Sequence, residues 1–147
     1  MGEQELKFPD NFLWGVSTSA YQIEGGIKND WSVWEESPER KEELRKQGKD
    51  PKEYICGKAC DSYNRYPEDL DLVKDLDCHA YRMGVEWARI EPKEGEFDES
   101  EIEHYKEVLK EAKKRDLVVV LTLWHWTNPV WLAEKGGWSN REVVDKF

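Results

Sequence analysis

Phe12-Leu13-Trp14-Gly15-Val16-Ser17-Thr18-Ser19-Ala20-Tyr21-Gln22-Ile23-Glu24-Gly25-Gly26 is the stretch on which the reading of the chain turns. It opens with a short apolar run, passes through four small residues, and reaches Gln22 and Glu24 just before two glycines. The pattern predicts a buried strand over about 12–17 that ends at a pocket. Small residues leave room at the strand end, and the Gln22 amide offers a donor and an acceptor into that room. A strand-to-loop turn with incidental polar residues fits the same spacing.

Working outward, composition excludes several partners. The net charge of the 147 residues is −10, so neither nucleic acid nor an anionic membrane is expected as a partner. No apolar run reaches the roughly 18 residues of a membrane span. The N-terminal residues 1–7 hold no apolar signal core, and a cytoplasmic protein is expected. Cys56, Cys60 and Cys78 are an odd number and are expected as thiols. Cys56 and Cys60 stand four apart without a second pair or a nearby His, so no metal site and no cofactor is expected. Eight tryptophans either fill a core or offer stacking faces.

The chain then alternates in character. Pro9-Asp10-Asn11 signals a turn. A long connection follows the first strand. Its aromatic patch, Asp30-Trp31-Ser32-Val33-Trp34, either covers a rim or packs in a core. Residues 35–53 mix charges of both signs and predict a solvated surface segment with a short helix at 38–46. A helix is expected over 61–75, with Leu70, Val73 and Leu76 on one face and Pro67 suited to a first turn. In a second strand over 80–86, Tyr81, Met83 and Val85 face one way and Arg82, Gly84 and Glu86 the other. The two charges on one face need partners, and each can in part supply the other. Asp98 and Glu101 form a capping box ahead of a helix near 100–115, striped by Ile102, Tyr105, Leu109 and Ala112. His104 falls among charges and is expected to be exposed. The third strand, 117–124, is nearly all apolar and β-branched, as in parallel strands covered on both faces. After His125-Trp126, Asn128-Pro129 starts a short helix that Gly136-Gly137 stops, and Ser139 with Glu142 forms a second capping box.

Strand, helix, strand, helix, strand, helix is the order of a parallel α/β sheet. No GxGxxG phosphate loop is present, which weakens a dinucleotide fold. In a βα barrel the strands' C-terminal ends share the face that holds the active site. Gln22 lies just past strand one, and His125 with Trp126 just past strand three, so all three converge on one mouth.

The opening stretch resembles the N-terminal signature of glycoside hydrolase family 1. Tyr81-Arg82-Met83-Gly84-Val85-Glu86-Trp87-Ala88-Arg89-Ile90-Glu91-Pro92 is similar to its second-strand block. Leu121-Thr122-Leu123-Trp124-His125-Trp126-Thr127-Asn128-Pro129 is similar to its third. The resemblance implies a (β/α)8 TIM barrel, of which this α/β chain forms the N-terminal part, about three βα units, as a single incomplete domain over 1–147. A whole barrel needs at least about 200 residues. The resemblance further implies that Gln22, His125 and Trp126 bind the hydroxyls of a non-reducing-end sugar. It implies that Arg82 sits beside the nucleophilic carboxylate, which a guanidinium there would hold ionised. The chain departs from the family at Thr127-Asn128, where Asp-Leu is usual, and at Met83 and Glu86. Glu86 is similar to archaeal-type members.

Retaining glycosidases use two carboxyls about 5–5.5 Å apart. The family places them in an Asn-Glu-Pro motif after strand four and a Glu-Asn-Gly type motif after strand seven. Neither motif occurs in these 147 residues. Glu24, Glu86 and Glu91 match neither position, so no catalytic residue is assigned in this chain. The expected function is therefore the sugar-binding N-terminal portion of a retaining, β-glucosidase-like β-glycosidase, inactive alone. Its substrate would be a β-glycoside or small oligosaccharide, and its partner the remainder of the barrel. An open three-stranded sheet exposes apolar surface, so marginal folding or self-association is expected. A non-catalytic carbohydrate-binding or interaction fragment is the alternative. A metal-dependent barrel hydrolase lacks a ligand pair at metal spacing near the strand ends.

Overall fold

The structure, a computed structural model, describes residues 7–147. The first six residues of the polar lead-in, and with them most of the segment read for a signal core, lie outside the described residues. Three parallel strands form one sheet in the order β1 (Gly15–Ser17), β2 (Ala80–Gly84), β3 (Val118–Thr122). Ser17 pairs with Arg82, and Arg82 with Val120. Parallel neighbours need long crossovers. The first contains α1 (Ala20–Ile23), α2 (Asp30–Glu35), α3 (Pro38–Lys46) and α4 (Ser62–Asp75). The second contains α5 (Trp87–Ile90) and α6 (Glu99–Lys114). After β3 come α7 (Val130–Glu134) and two 3-10 turns, Gly137–Ser139 and Arg141–Asp145.

The alternation in β2 decides which face the helices cover. Tyr81 and Met83 point to the side where α4 and α6 lie. There they join Leu70, Val73, Tyr105, Val108, Ala112 and Leu117 in the main buried cluster. Each larger side chain in it contributes about 1.5–3 kcal/mol by burial. The helix stripes have the period that lets one face meet the sheet. Arg82 has the opposite parity and lies on the helix-free face, between Ser17 and Thr122.

Several expectations are corrected. The first strand is only Gly15–Ser17, because the rings of Phe12 and Trp14 turn aside to pack with Phe8, centroids 4.6 to 4.9 Å apart. Phe12, Leu13 and Trp14 are consequently about half exposed rather than buried. Leu76 is 68% exposed because α4 ends one residue before it. The Asp98 cap forms, but no reciprocal Glu101 bond does; the Glu101 carboxylate lies 3.8 Å from Arg89 instead. Asn140, not Ser139, caps the last segment, which is a 3-10 turn rather than an α-helix. His104 is half-buried and stacks on Tyr63 at 3.8 Å, and burial lowers its pKa. β3 is not covered on both faces: Val118, Val120 and Leu123 are about half exposed. Its outer edge has no strand beside it among the described residues.

One glycine of the opening stretch is set by geometry. Gly25 has φ +78°, and a Cβ there would lie 2.0 Å from the Lys58 carbonyl oxygen. Gly25→Ala is expected to lower stability by at least about 2 kcal/mol, combining backbone strain with the clash. A urea melt reads this directly, and an unchanged midpoint would mean that the 25–58 contact gives way at no cost.

Candidate functional site

Parallel pairing puts the strands' C-terminal ends on one side, and the site assembles there. β1 runs out at Ser17, and the Thr18 N–H still donates to the Arg82 carbonyl (3.0 Å). Ser19 then turns the chain into α1. Its hydroxyl donates to Gln22 Oε1 at 2.7 Å, so the carbonyl end of that amide is held and its NH2 is the part left to donate.

At the end of β3 the backbone folds sharply. Thr127 N–H donates to the His125 carbonyl (3.0 Å) across Trp126, whose φ is +75°. This is a γ-turn of the strained hand, rare for any residue with a side chain. It leaves the Trp126 indole 70% exposed, 6.0 Å from Trp124. Strain of this kind persists only where neighbours over-determine it. Here Asp30 accepts from both the backbone N–H and the side-chain amide of Asn128 (2.9 and 2.8 Å). Asn128 in turn accepts from Trp124 Nε1 (3.1 Å). The loop is thereby fixed to the start of α2, which Asn29 and Ser32 close with a reciprocal capping box.

Gln22, His125 and Trp126 line one cleft of about 460 Å³, together with Ser19, Tyr21, Trp31 and Thr127. Residues about a hundred positions apart thus meet, as their places at strand ends predicted. Trp31 realises the rim reading of the aromatic patch, and it also borders a hollow of about 250 Å³ with Asp30 and Trp34. Tyr21 is held from behind: its hydroxyl donates to Glu35 Oε2 (2.8 Å), which also accepts from the Cys56 N–H (2.8 Å).

Arg82 does not line this cleft. Its Nε donates to Thr122 Oγ1 (2.9 Å) and its Nη1 to Ser17 Oγ (3.3 Å). The expectation that Arg82 and Glu86 supply one another fails. Strand β2 ends at Gly84, and Glu86 caps α5 with its side chain turned elsewhere. The Glu86 carboxylate is buried and accepts from Thr127 Oγ1 (3.0 Å to each oxygen) and Asn29 Nδ2 (3.4 Å). Burial pushes it up to about 7, against the opposing pull of these bonds.

A second buried network escaped the sequence reading. Arg89 donates to Glu24 (2.9 Å) and to the Gly25 carbonyl (2.6 Å), and lies 4.3 Å over the Tyr63 ring. The Tyr105 hydroxyl donates to Glu24 and accepts from the Glu86 N–H (3.0 Å). Burial holds the Glu24 carboxyl above its ordinary value although Arg89 opposes this. These residues brace the opening stretch from behind the cleft. Their separation along the chain left only lone charges to read. Among the described residues no group of three His, Cys, Asp or Glu is placed to hold a metal ion, and no helix is long and apolar enough to cross a membrane.

A profile described as Glycosyl hydrolase family 1 matches residues 4–147. Myrosinase 1 from Brevicoryne brassicae is 35% identical over 148 residues, covering 97% of this chain and 31% of that protein. The solved β-glycosidase BGL167 superposes with a TM-score of 0.81 at 37% identity, covering 94% of this chain and 31% of that one. The β-glucosidase from Thermotoga maritima in complex with castanospermine gives 0.82 at 33% identity, covering 95% and 31%. The chain therefore spans about a third of the length of the relatives it matches.

Proposed function

The chain belongs to glycosyl hydrolase family 1, and we propose that it forms the sugar-recognising side of a retaining β-glycosidase active site without the catalytic carboxyls. Its fold is the N-terminal part of the family's (β/α)8 barrel, about three βα units. In this reading Gln22 and His125 bond the hydroxyls of the non-reducing-end sugar of a β-glycoside. Trp126 and Trp31 offer aromatic faces to it. The hollow beside Trp34 leaves room for a further unit of a small oligosaccharide. Arg82 would stand beside the nucleophile once the missing strands bring it. The exposed apolar β3 edge and helix-free face suit the remainder of the barrel as partner. Three free thiols are in keeping with a cytoplasmic setting.

The observation that carries this reading is the single cleft shared by Gln22 and the His125-Trp126 turn. Castanospermine, the ligand of the Thermotoga relative, is the probe. The folded chain is expected to bind it weakly, and Gln22→Ala or His125→Ala to weaken binding by up to about tenfold each, the worth of one hydrogen bond. Amide spectra recorded with the titration establish that each variant is folded. Binding by folded chain that both substitutions leave unchanged would remove these residues from the site. Sugar binding that survives with no turnover from any barrel completed by the missing strands would favour the non-catalytic fragment instead.

A further inference from the structure

Next to the cleft, sharing Tyr21, His125 and Thr127 with it, lies a small, partly enclosed cavity. It has about 10 Å³ of room for a water centre, the size of one molecule, and is bordered by Glu86, His125, Tyr21 and Thr127. His125 borders both spaces. Its Nδ1 is buried and has no hydrogen-bond partner among the described residues. A buried nitrogen of this kind is costly to leave unpaired, and the cavity is polar enough and large enough for one bridging molecule.

We propose that Glu86 is a positioning residue for the cleft: through one ordered water it sets the tautomer of His125, and so decides whether Nε2 offers the cleft an acceptor or a donor. The inference rests on the cleft being the ligand site, though its mechanism does not depend on the ligand. An ionised Glu86 accepts one proton of the water. The water then accepts from His125 Nδ1–H, and Nε2 is left as an acceptor. A protonated Glu86 donates to the water, the water donates to Nδ1, and the ring carries its proton on Nε2. Each arrangement uses one O–H and one lone pair of the water, and the proton count changes only by the one that Glu86 gains or loses.

The surroundings let this exchange occur near neutral pH. Glu86 faces Asn29 from α2 and Thr127 from the turn after β3, both neutral donors. Tyr105 from α6 meets its backbone N–H. Burial raises its pKa to about 7, with the Glu24 carboxylate adding to the rise and the bonds from Thr127, Asn29 and the Ala88 backbone N–H opposing it.

The test is the ¹⁵N spectrum of the His125 imidazole in the full chain, which distinguishes the two neutral tautomers without any sugar present. At pH 8.5 the wild-type ring is expected to carry its proton mainly on Nδ1. In Glu86→Gln, whose amide can donate to the water, the ratio is expected to move toward Nε2–H on the order of tenfold, the difference between a charged and a neutral hydrogen bond. The same ratio in both proteins would overturn the proposal. The wild type alone supplies a second check should the variant not fold: its neutral-tautomer ratio must change between pH 6 and 8.5, and a constant ratio also overturns the proposal. Because no sugar enters, failure here leaves the castanospermine result standing, and the reverse holds equally.

Discussion

Pure 147-residue chain is expected to release no aryl alcohol from aryl β-glycosides above the uncatalysed rate. The reaction needs an acid to protonate the leaving oxygen and a carboxylate to trap the oxocarbenium-like centre, about 5–5.5 Å apart. General acid–base help alone is typically 10²–10⁴-fold, and loss of the covalent step removes more. The three buried carboxylates among the described residues are already committed. Glu24 is bonded to Arg89 and Tyr105. Glu86 is bonded to Thr127 and Asn29. Glu91 accepts from Trp87 Nε1 (2.7 Å) and from the Gly95 N–H (2.7 Å). Of these, Glu86 borders only the small adjoining cavity, and none lines the open cleft. A barrel completed with strands that bring both carboxyls should turn over the same substrates. Turnover by the pure chain that disappears in Glu24→Gln, Glu86→Gln or Glu91→Gln would refute both the missing-carboxyl argument and the sugar-binding roles given to Gln22 and His125.

What the sequence made legible follows from how locally each feature is encoded. Gln22 and His125-Trp126 could be placed because each stands directly after a strand, and parallel strands end on one side. The side on which Arg82 lies was readable from a period of two, since Tyr81 and Met83 needed the helices. Pairings between distant segments were not readable. Glu86 announced a need for partners, but Thr127 is 41 positions away and Asn29 is 57. Parity alone suggested Arg82, and the end of β2 at Gly84 defeats that geometry. The short α2 was missed because its Asn29–Ser32 capping box sits among tryptophans that read as a patch rather than a helix. The length of the first strand was overstated for a similar reason. An apolar run such as Phe12-Leu13-Trp14 does not say whether its rings pack into a sheet or against one another.

Arg89→Met is expected to destabilise the chain by about 3–5 kcal/mol at pH 8, the cost of leaving one member of a buried ion pair uncompensated. That is a large share of the stability of any small domain. The two side chains are only 13% and 9% exposed. The guanidinium also satisfies the Gly25 carbonyl beside the strained Gly25. The pH dependence identifies the cause. Burial already holds the Glu24 carboxyl above its ordinary 4.5, and Arg89 is the largest influence pulling it back down. A group whose folded pKa is raised contributes most below its unfolded value, and that contribution is lost as pH climbs through the folded one. Without Arg89 the folded pKa rises further, so the loss deepens and extends to higher pH. The deficit of the variant should therefore shrink from pH 8 toward pH 5, where Glu24 takes up a proton. Adding Glu24→Gln to Arg89→Met should recover much of it at pH 8, because the carboxylate that had lost its partner is then gone. Urea melts of the single and double variants at both pH values measure all four quantities. Should Arg89 act only through its packing over Tyr63, the deficit would be the same at pH 5 and pH 8, and Glu24→Gln would rescue nothing.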